Sequence, residues 1–250
     1  MLSEHDLVRA LERVGRKAPV RFDEVTGSTQ ATALRLAAEG APEWTLVAAG
    51  HQTKGRGRLH REWRDTPGHA LLFSVVLRPD LAPDEAGLLT LLAGAALAGA
   101  CRGTSGDPAV CKWPNDVQVA GRKVGGILAE SLVAEGRFEH VVLGVGVNLG
   151  APPPGVPEAG AVEAGAAELL EAFLAGFVRR YRPSEAAFAD TVLAEYRSLC
   201  VTLGRRVRAT TTDGDVVEGE AEDVDDRGGL VVRTGENTRV VRFGTVDHLG

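Results

Sequence analysis

VCKWPNDVQVAGRKVGGILAESLVAEGRFEHVVLGVGVNLG, residues 110–150, is the stretch whose reading decides the fold. Four short runs rich in β-branched and apolar residues, at 110–113, 117–119, 126–133 and 139–147, read as successive strands. Tight turns at Gly121-Arg122 and Glu135-Gly136 separate the later ones, which predicts a mixed meander. Proline cannot join a central ladder, so Pro114 ends the first strand and presents Asn115 and Asp116 at its mouth.

Upstream of this stretch, helix and strand signals mix. Ser3 with Asp6 three places on resembles a capping box opening a helix over Leu7, Leu11 and Val14. A strand is expected at 20–22, then a helix from Ser28-Thr29 through Ala33, Leu34 and Ala37 that stops at Gly40. Short strands are expected at 45–49 and 70–77. The apolar run 88–100 is shorter than the ~20 residues that cross a bilayer, and Asp84 and Glu85 suit the start of a helix, so it reads as a buried helix. Strands that form a meander, with helices added earlier, give an α+β class.

Downstream, Pro152, Pro153, Pro154 and Pro157 mark a stiff connector, followed by helical stretches at 163–181 and 185–199. From Leu203 the texture changes to short β-rich pieces at 207–211, 230–234 and 238–243, punctuated by Asp213-Gly214 and Gly228-Gly229. This reads as a small β-barrel-like domain, with the boundary near Thr202: a main domain over 1–202 and a second over 203–250.

The composition is that of an ordinary soluble domain: 250 residues, 44% hydrophobic, 25% charged, net charge −6. That charge argues against a nucleic-acid coat, and the segment from Leu203 to the end, with ten acidic and seven basic side chains, argues against a nucleic-acid-binding tail. Cys101, Cys111 and Cys200 are widely spaced and show no metal or disulfide pattern, so they read as core thiols of a reducing, cytoplasmic protein, with no metal site of protein ligands. The first residues lack a basic segment and an apolar one, so no signal peptide is visible and no membrane contact is expected.

Four elements carry chemistry. The loop over 51–68 has no apolar periodicity, and five cations (Lys54, Arg56, Arg58, Arg61, Arg64) meet only Glu62 and Asp65. Glycines between arginines let the backbone approach an anion while guanidinium forks grip its oxygens; a solvated loop is the alternative reading. In Lys112-Trp113-Pro114-Asn115-Asp116, an amide suits a nucleobase edge and a carboxylate suits magnesium or a proton, while an ordinary turn explains the same residues. Lys123 precedes Gly125-Gly126, which lets something approach that backbone. Gly144-Val145-Gly146-Val147-Asn148 ends an apolar strand without the GxGxxG pattern, so a dinucleotide fold is unsupported.

In order and spacing these pieces resemble the biotin protein ligase family: GSTQ at 27–30, GRGR at 55–58, KWPND at 112–116, KVGGILAE at 123–130 and GVGVNLG at 144–150. The resemblance covers roughly residues 21–150, with the tail similar to the family's SH3-like C-terminal domain. It implies a mixed β-sheet flanked by helices, akin to the class II aminoacyl-tRNA synthetase fold, and ATP-dependent attachment of biotin to a lysine of a biotin carboxyl carrier protein through biotinyl-5′-AMP. Biotin and ATP are then substrates, with Mg²⁺.

By the same resemblance, Ser28, Thr29, Gln30 and Gln52 line the biotin pocket, with Gly125 and Gly126 beside it. Arg56, Gly57 and Arg58 wrap the biotin carboxylate and later the adenylate phosphate. Lys123 bridges carboxylate and α-phosphate, and Asp116 helps the acceptor lysine lose its proton. Trp63, Lys112, Asn115 and Asn148 complete the ATP site. Gln30 stands where the family usually has Asn, and His60 where it usually has Gly. The start lies too close to the ligase module for a helix-turn-helix domain, so a form without DNA-binding repressor function is expected, and a homodimer built on the 126–147 strand pair. Lipoate ligases and octanoyltransferases share the architecture; GRGR with KWPND favours biotin. A non-catalytic scaffold for carrier proteins fits less well, because every expected active-site residue is retained.

Overall fold

Alternation along the 110–150 stretch builds the floor of the molecule, which we describe from a computed structural model covering residues 2–249. Its strands are β4 (Val110–Lys112), β5 (Asp116–Val119), β6 (Arg122–Ala134) and β7 (Arg137–Asn148). They join β1 (Val20–Thr26), β2 (Leu46–Gln52) and β3 (Ala70–Leu77) in one seven-stranded sheet ordered β1-β2-β3-β7-β6-β5-β4. β1 and β2 run parallel and the other neighbours antiparallel, so the sheet is mixed, as the α+β reading expects. The β5–β6 turn sits one residue earlier than its glycine signal implied: Ala120 (φ 49°) and Gly121 (φ 76°) make it, and Arg122 already belongs to β6.

Period-two alternation separates the faces of β7. Val141, Leu143, Val145 and Val147 enter the main core, whereas Val142 joins a second cluster with Ala33, Ala37, Val47 and Val76. That second cluster lies under α2 (Thr29–Ala38), which packs on β2, β3 and β7. The opposite face carries α1 (Glu4–Arg13), α3 (Ala86–Thr104), α4 (Ala166–Arg180) and α5 (Phe188–Leu199). The Ser3–Asp6 capping box forms as the sequence predicts.

α3 is apolar all round because it is surrounded, by β5 and β6 on one side and α4 and α5 on the other. Its five buried leucines contribute on the order of 2 kcal/mol each by leaving water. Among the described residues this helix, with the single turn before it, is the one long and apolar enough to cross a membrane, and 67% of that apolar window is buried inside the protein.

The C-terminal segment forms a five-stranded antiparallel sheet, ordered β11-β10-β9-β8-β12, from β8 (Arg206–Thr211), β9 (Val216–Val224), β10 (Leu230–Thr234), β11 (Asn237–Val241) and β12 (Gly244–His248). Two of these escaped the sequence reading. β9 alternates valine and alanine with glutamate and glycine, which dilutes its apolar signal; β12 follows β11 after only two residues. The inward residues Val207, Ala209, Val217, Leu230 and Val246 merge with the main core. Trp113 ties the two sheets: its amide donates to Thr202 Oγ1 and its indole Nε1 to the Gly228 carbonyl, both at 3.0 Å.

Candidate active site

The face of the sheet that α2 leaves uncovered forms the floor of a cavity of about 650 Å³. Registry fixes what stands there: Ser74 opposite Gly144, Gly144 opposite Leu128, Gly146 opposite Gly126, and Gly126 opposite Asp116. Glycines at 126, 144 and 146 remove side chains from the floor. The Trp63 indole rests in the space so made: a Cβ on Gly146 would lie 2.6 Å from Trp63 Cε2, and one on Gly126 3.3 Å from Cζ3. The indole Nε1 is buried there with no hydrogen-bond partner.

One end of the cavity is closed and polar. It begins at the N-terminus of α2, where Ser28 caps the helix by accepting from the Ala31 amide at 3.5 Å. The Thr29 amide donates to Gln52 Oε1 at 2.8 Å, and Thr29 Oγ1 lies 3.0 Å from Ser74 Oγ. Ser74 donates to Gln30 Oε1 at 3.1 Å, and Gln30 Nε2 donates to the Val142 carbonyl at 3.0 Å. All of these side chains except Gln52 are buried, so each polar atom needs its partner.

The other end is charged. Lys123 Nζ and Asp116 Oδ1 pair at 2.6 Å, both part-exposed. Arg58 donates to Asn115 Oδ1 at 3.2 Å, while Asn115 Nδ2 donates to the Ile127 carbonyl at 2.8 Å. Burial pulls the Arg58 pKa down from its ordinary value; Asp116 opposes this and Arg61 adds to it. Lys112 lines the same end, and Thr245, Val246 and Asp247 of β12 close its wall.

The loop between β2 and β3 spans both ends and has structure of its own. Arg56 and Glu62 form an antiparallel bridge, the Gly57 amide donates to the Arg61 carbonyl at 2.8 Å, and the Trp63 amide to the Gly55 carbonyl at 3.1 Å. Its far end is pinned by Asp65, whose fully buried carboxylate accepts from the Gln52 amide at 3.2 Å and sits 2.8 Å from His51 Nδ1. Arg56 turns to Glu130 on β6, at 2.8 Å.

Ser28, Thr29, Gln30, Gln52, Arg56, Gly57, Arg58, Trp63, Lys112, Asn115, Asp116, Lys123, Gly126 and Asn148 therefore line one cavity. Gly125 does not: alternation turns it to the opposite face, where a Cβ would meet Leu97 Cδ2 at 2.9 Å, so its small size serves the packing of α3. The Asn115 amide is engaged at both ends and braces Arg58 against β6 instead of offering a free edge to a nucleobase. Asn148 Nδ2 is likewise committed, to the Gly160 carbonyl at 2.8 Å. Ser74 was missed by sequence reasoning, though a lone hydroxyl inside the apolar run LLFSVVL is a signal that a partner must exist.

The description "Biotin/lipoate A/B protein ligase family" matches residues 22–148, and "Biotin protein ligase C terminal domain" matches residues 202–249. The chain is 38% identical to a biotin--[acetyl-CoA-carboxylase] ligase of Mycobacterium tuberculosis, over 90% of this chain and 86% of that one. It is 32% identical to a bifunctional ligase/repressor of Bacillus subtilis, over 96% of this chain and 77% of that one. Its fold is similar to that of a biotin protein ligase from Aquifex aeolicus in complex with biotin and ATP, with a TM-score of 0.74 and 24% identity over 92% of this chain and 98% of that one.

Proposed function

Since the chain belongs to the biotin/lipoate A/B protein ligase family, we propose that it activates biotin with ATP to biotinyl-5′-AMP and transfers the biotinyl group to a lysine of a biotin carboxyl carrier protein. The observation that carries this reading is the polarity of this cavity, neutral hydrogen-bonding groups at its closed end and Lys123, Asp116 and Arg58 at the other. A ligand with a neutral polar head and a carboxylate tail fits that order.

In the first step a carboxylate oxygen of biotin attacks the α-phosphorus of ATP and pyrophosphate leaves. Both reactants are anions, so cations must bring them together. Lys123 and Arg58 supply that charge, with Arg56 at the rim. Trp63 lies on the glycine floor beside Lys123, 5.8 Å from Nζ to the ring centre, and so borders the meeting point. In the second step the acceptor lysine attacks the acyl carbon and AMP leaves. Asp116, released once Lys123 turns to the phosphate, takes the proton from the attacking amine. We assign the nucleotide end to Lys112, Trp63 and Asn148, with Asn115 as the brace of Arg58.

Among the described residues no group of three or more His, Cys, Asp or Glu is placed to hold a metal. Magnesium needs few protein ligands where a triphosphate supplies oxygens, so we treat it as part of the ATP substrate, with Asp116 the carboxylate nearest the charged end. Three buried free thiols suit a reducing cytoplasm. A ligase domain over 1–202 and a C-terminal domain over 203–250 are our division of the chain. We also place a two-fold dimer contact at the edge of β6 beyond its pairing with β5, where Leu132 and Val133 are 45% and 43% exposed.

The test is to incubate the protein with a carrier domain, biotin, ATP and Mg²⁺ and read the carrier by mass spectrometry. One biotinyl group on one lysine, with pyrophosphate released, is expected. Modification with lipoate in place of biotin would overturn the substrate assignment.

A further inference from the structure

In the buried chain Thr29–Ser74–Gln30–Val142, with Gln52 beside it, the hydroxyl of Thr29 is left as a donor to its protein neighbours. The two side-chain amides are oriented by backbone groups whose roles are fixed. The Val142 carbonyl can only accept, so the Gln30 atom at 3.0 Å is the NH₂ and Oε1 faces Ser74. The Thr29 amide can only donate, so the Gln52 atom at 2.8 Å is the oxygen and its NH₂ is turned away from Thr29. Ser74 has one proton, and Gln30 Oε1 takes it. The 3.0 Å contact between Ser74 and Thr29 must then be donated by Thr29. Gln52 Oε1, 3.2 Å from Thr29 Oγ1, is the one other atom that shares that proton. Thr29 and Ser74 are respectively 4% and 0% exposed, so no bulk water relaxes the arrangement.

We infer that Ser74 and Gln30 are positioning residues that set the hydrogen-bond polarity of the cavity's closed end, leaving the Thr29 hydroxyl only lone pairs and the Gln52 amide only N–H groups for a ligand. Such an end takes a head group that presents an N–H to Thr29 and an oxygen acceptor to Gln52, as a cyclic urea does. This rests on the biotin reading above and adds to it: selectivity at Thr29 is decided by two residues on its far side.

The test pairs protein and ligand changes. Biotin is compared with its two cyclic carbamate analogues, each with one ring N–H replaced by oxygen, by calorimetric binding to wild type, Ser74→Ala and Gln30→Met. In wild type the carbamate that sets its oxygen against the Thr29 lone pairs should bind on the order of 100-fold more weakly than biotin. Ser74→Ala leaves the Thr29 proton only the longer contact to Gln52 Oε1, which already accepts from the Thr29 amide, and Gln30→Met lets the Ser74 proton turn to Thr29. In both, the Thr29 proton can turn to the ligand, so that ratio should fall below about tenfold, while biotin itself changes less. Because the two substitutions break the chain at different atoms, failure of one to fold leaves the other as the measurement. An unchanged ratio, or equal weakening of both ligands, overturns the inference alone. A wild type that binds neither ligand overturns the biotin reading and this inference with it.

Discussion

Lys123 and Asp116 hold each other at 2.6 Å from neighbouring strands, on the side of the sheet where Gly126 and Gly146 make room for the Trp63 indole. A strongly paired lysine in a part-exposed site is a cation kept ready, because an arriving polyanion offers it more charge than one carboxylate does. In the proposed mechanism the exchange also liberates Asp116, so that the two residues divide the two half-reactions.

Lys123→Ala should nearly abolish adenylate formation, by about 100-fold or roughly 3 kcal/mol, since its charge is needed only as two anions meet. Asp116→Asn should spare that step more than the transfer to lysine. Pyrophosphate release and single-turnover transfer from preformed adenylate separate the two. A Lys123→Ala protein with wild-type pyrophosphate release would remove Lys123 from this role.

Arg58→Gly should loosen the hold on the adenylate more than it slows its synthesis, because Lys123 still neutralises the reacting centre. The change also deprives Asn115 Oδ1 of its donor. Free biotinyl-AMP should escape and label unrelated lysines, visible as diffuse biotinylation in a protein mixture. Labelling confined to the carrier domain would contradict this.

His60→Gly should stabilise the loop. Leu59 and His60 both lie in the left-handed region, with φ of 53° and 60°, where a side chain costs roughly 1–2 kcal/mol and glycine nothing. Glycine's extra freedom in the unfolded chain takes back about 0.5–1 kcal/mol, so the net gain lies between about 0 and about 1.5 kcal/mol. The loop's own bridges make hydrogen exchange the sharper probe. Amides of Gly57 and Trp63, which donate to carbonyls, should exchange slowly without ligand; those of Leu59 and His60 should be slowed by biotin with ATP, and further by the glycine.

Stability should fall on mild acidification. Burial, with Arg78 next in effect and Glu139 opposing, lowers the His140 pKa in the fold. Above the unfolded value of about 6.5 the imidazole is neutral in both states and nothing is lost. As pH falls from there through the lowered folded pKa, the unfolded chain takes a proton that the fold resists, so stability declines. Denaturation midpoints at a series of pH values should show it, and His140→Gln should flatten the slope. His248, lowered by burial and then by Lys112 and Arg205, acts in the same direction.

Much of this was legible before any coordinates. Ser3 with Asp6, Ser28 and the turn glycines state local preferences that tertiary contacts did not override. The alternation of Gly144, Gly146 and Asn148 with three apolar residues forces those three onto one face of any strand they form. The same rule turned Gly125 away from Gly126, although the two glycines are adjacent and look alike in the sequence.

The sequence by itself determined most of the elements, their order and the set of residues with the chemistry for joining two anions, because propensity, capping and period-two patterning act within a few residues; β9 and β12, with diluted or crowded signals, were the exceptions. Only the tertiary structure decided their partners. It set Arg56 against Glu130, 74 residues away, gave the Asn115 amide to Arg58 and Ile127, and stood Ser74 between Thr29 and Gln30. It also brought β12 to the cavity wall. Sheet order and register carry that information, and they are fixed by how whole faces bury one another in a shared core, a property no single segment possesses.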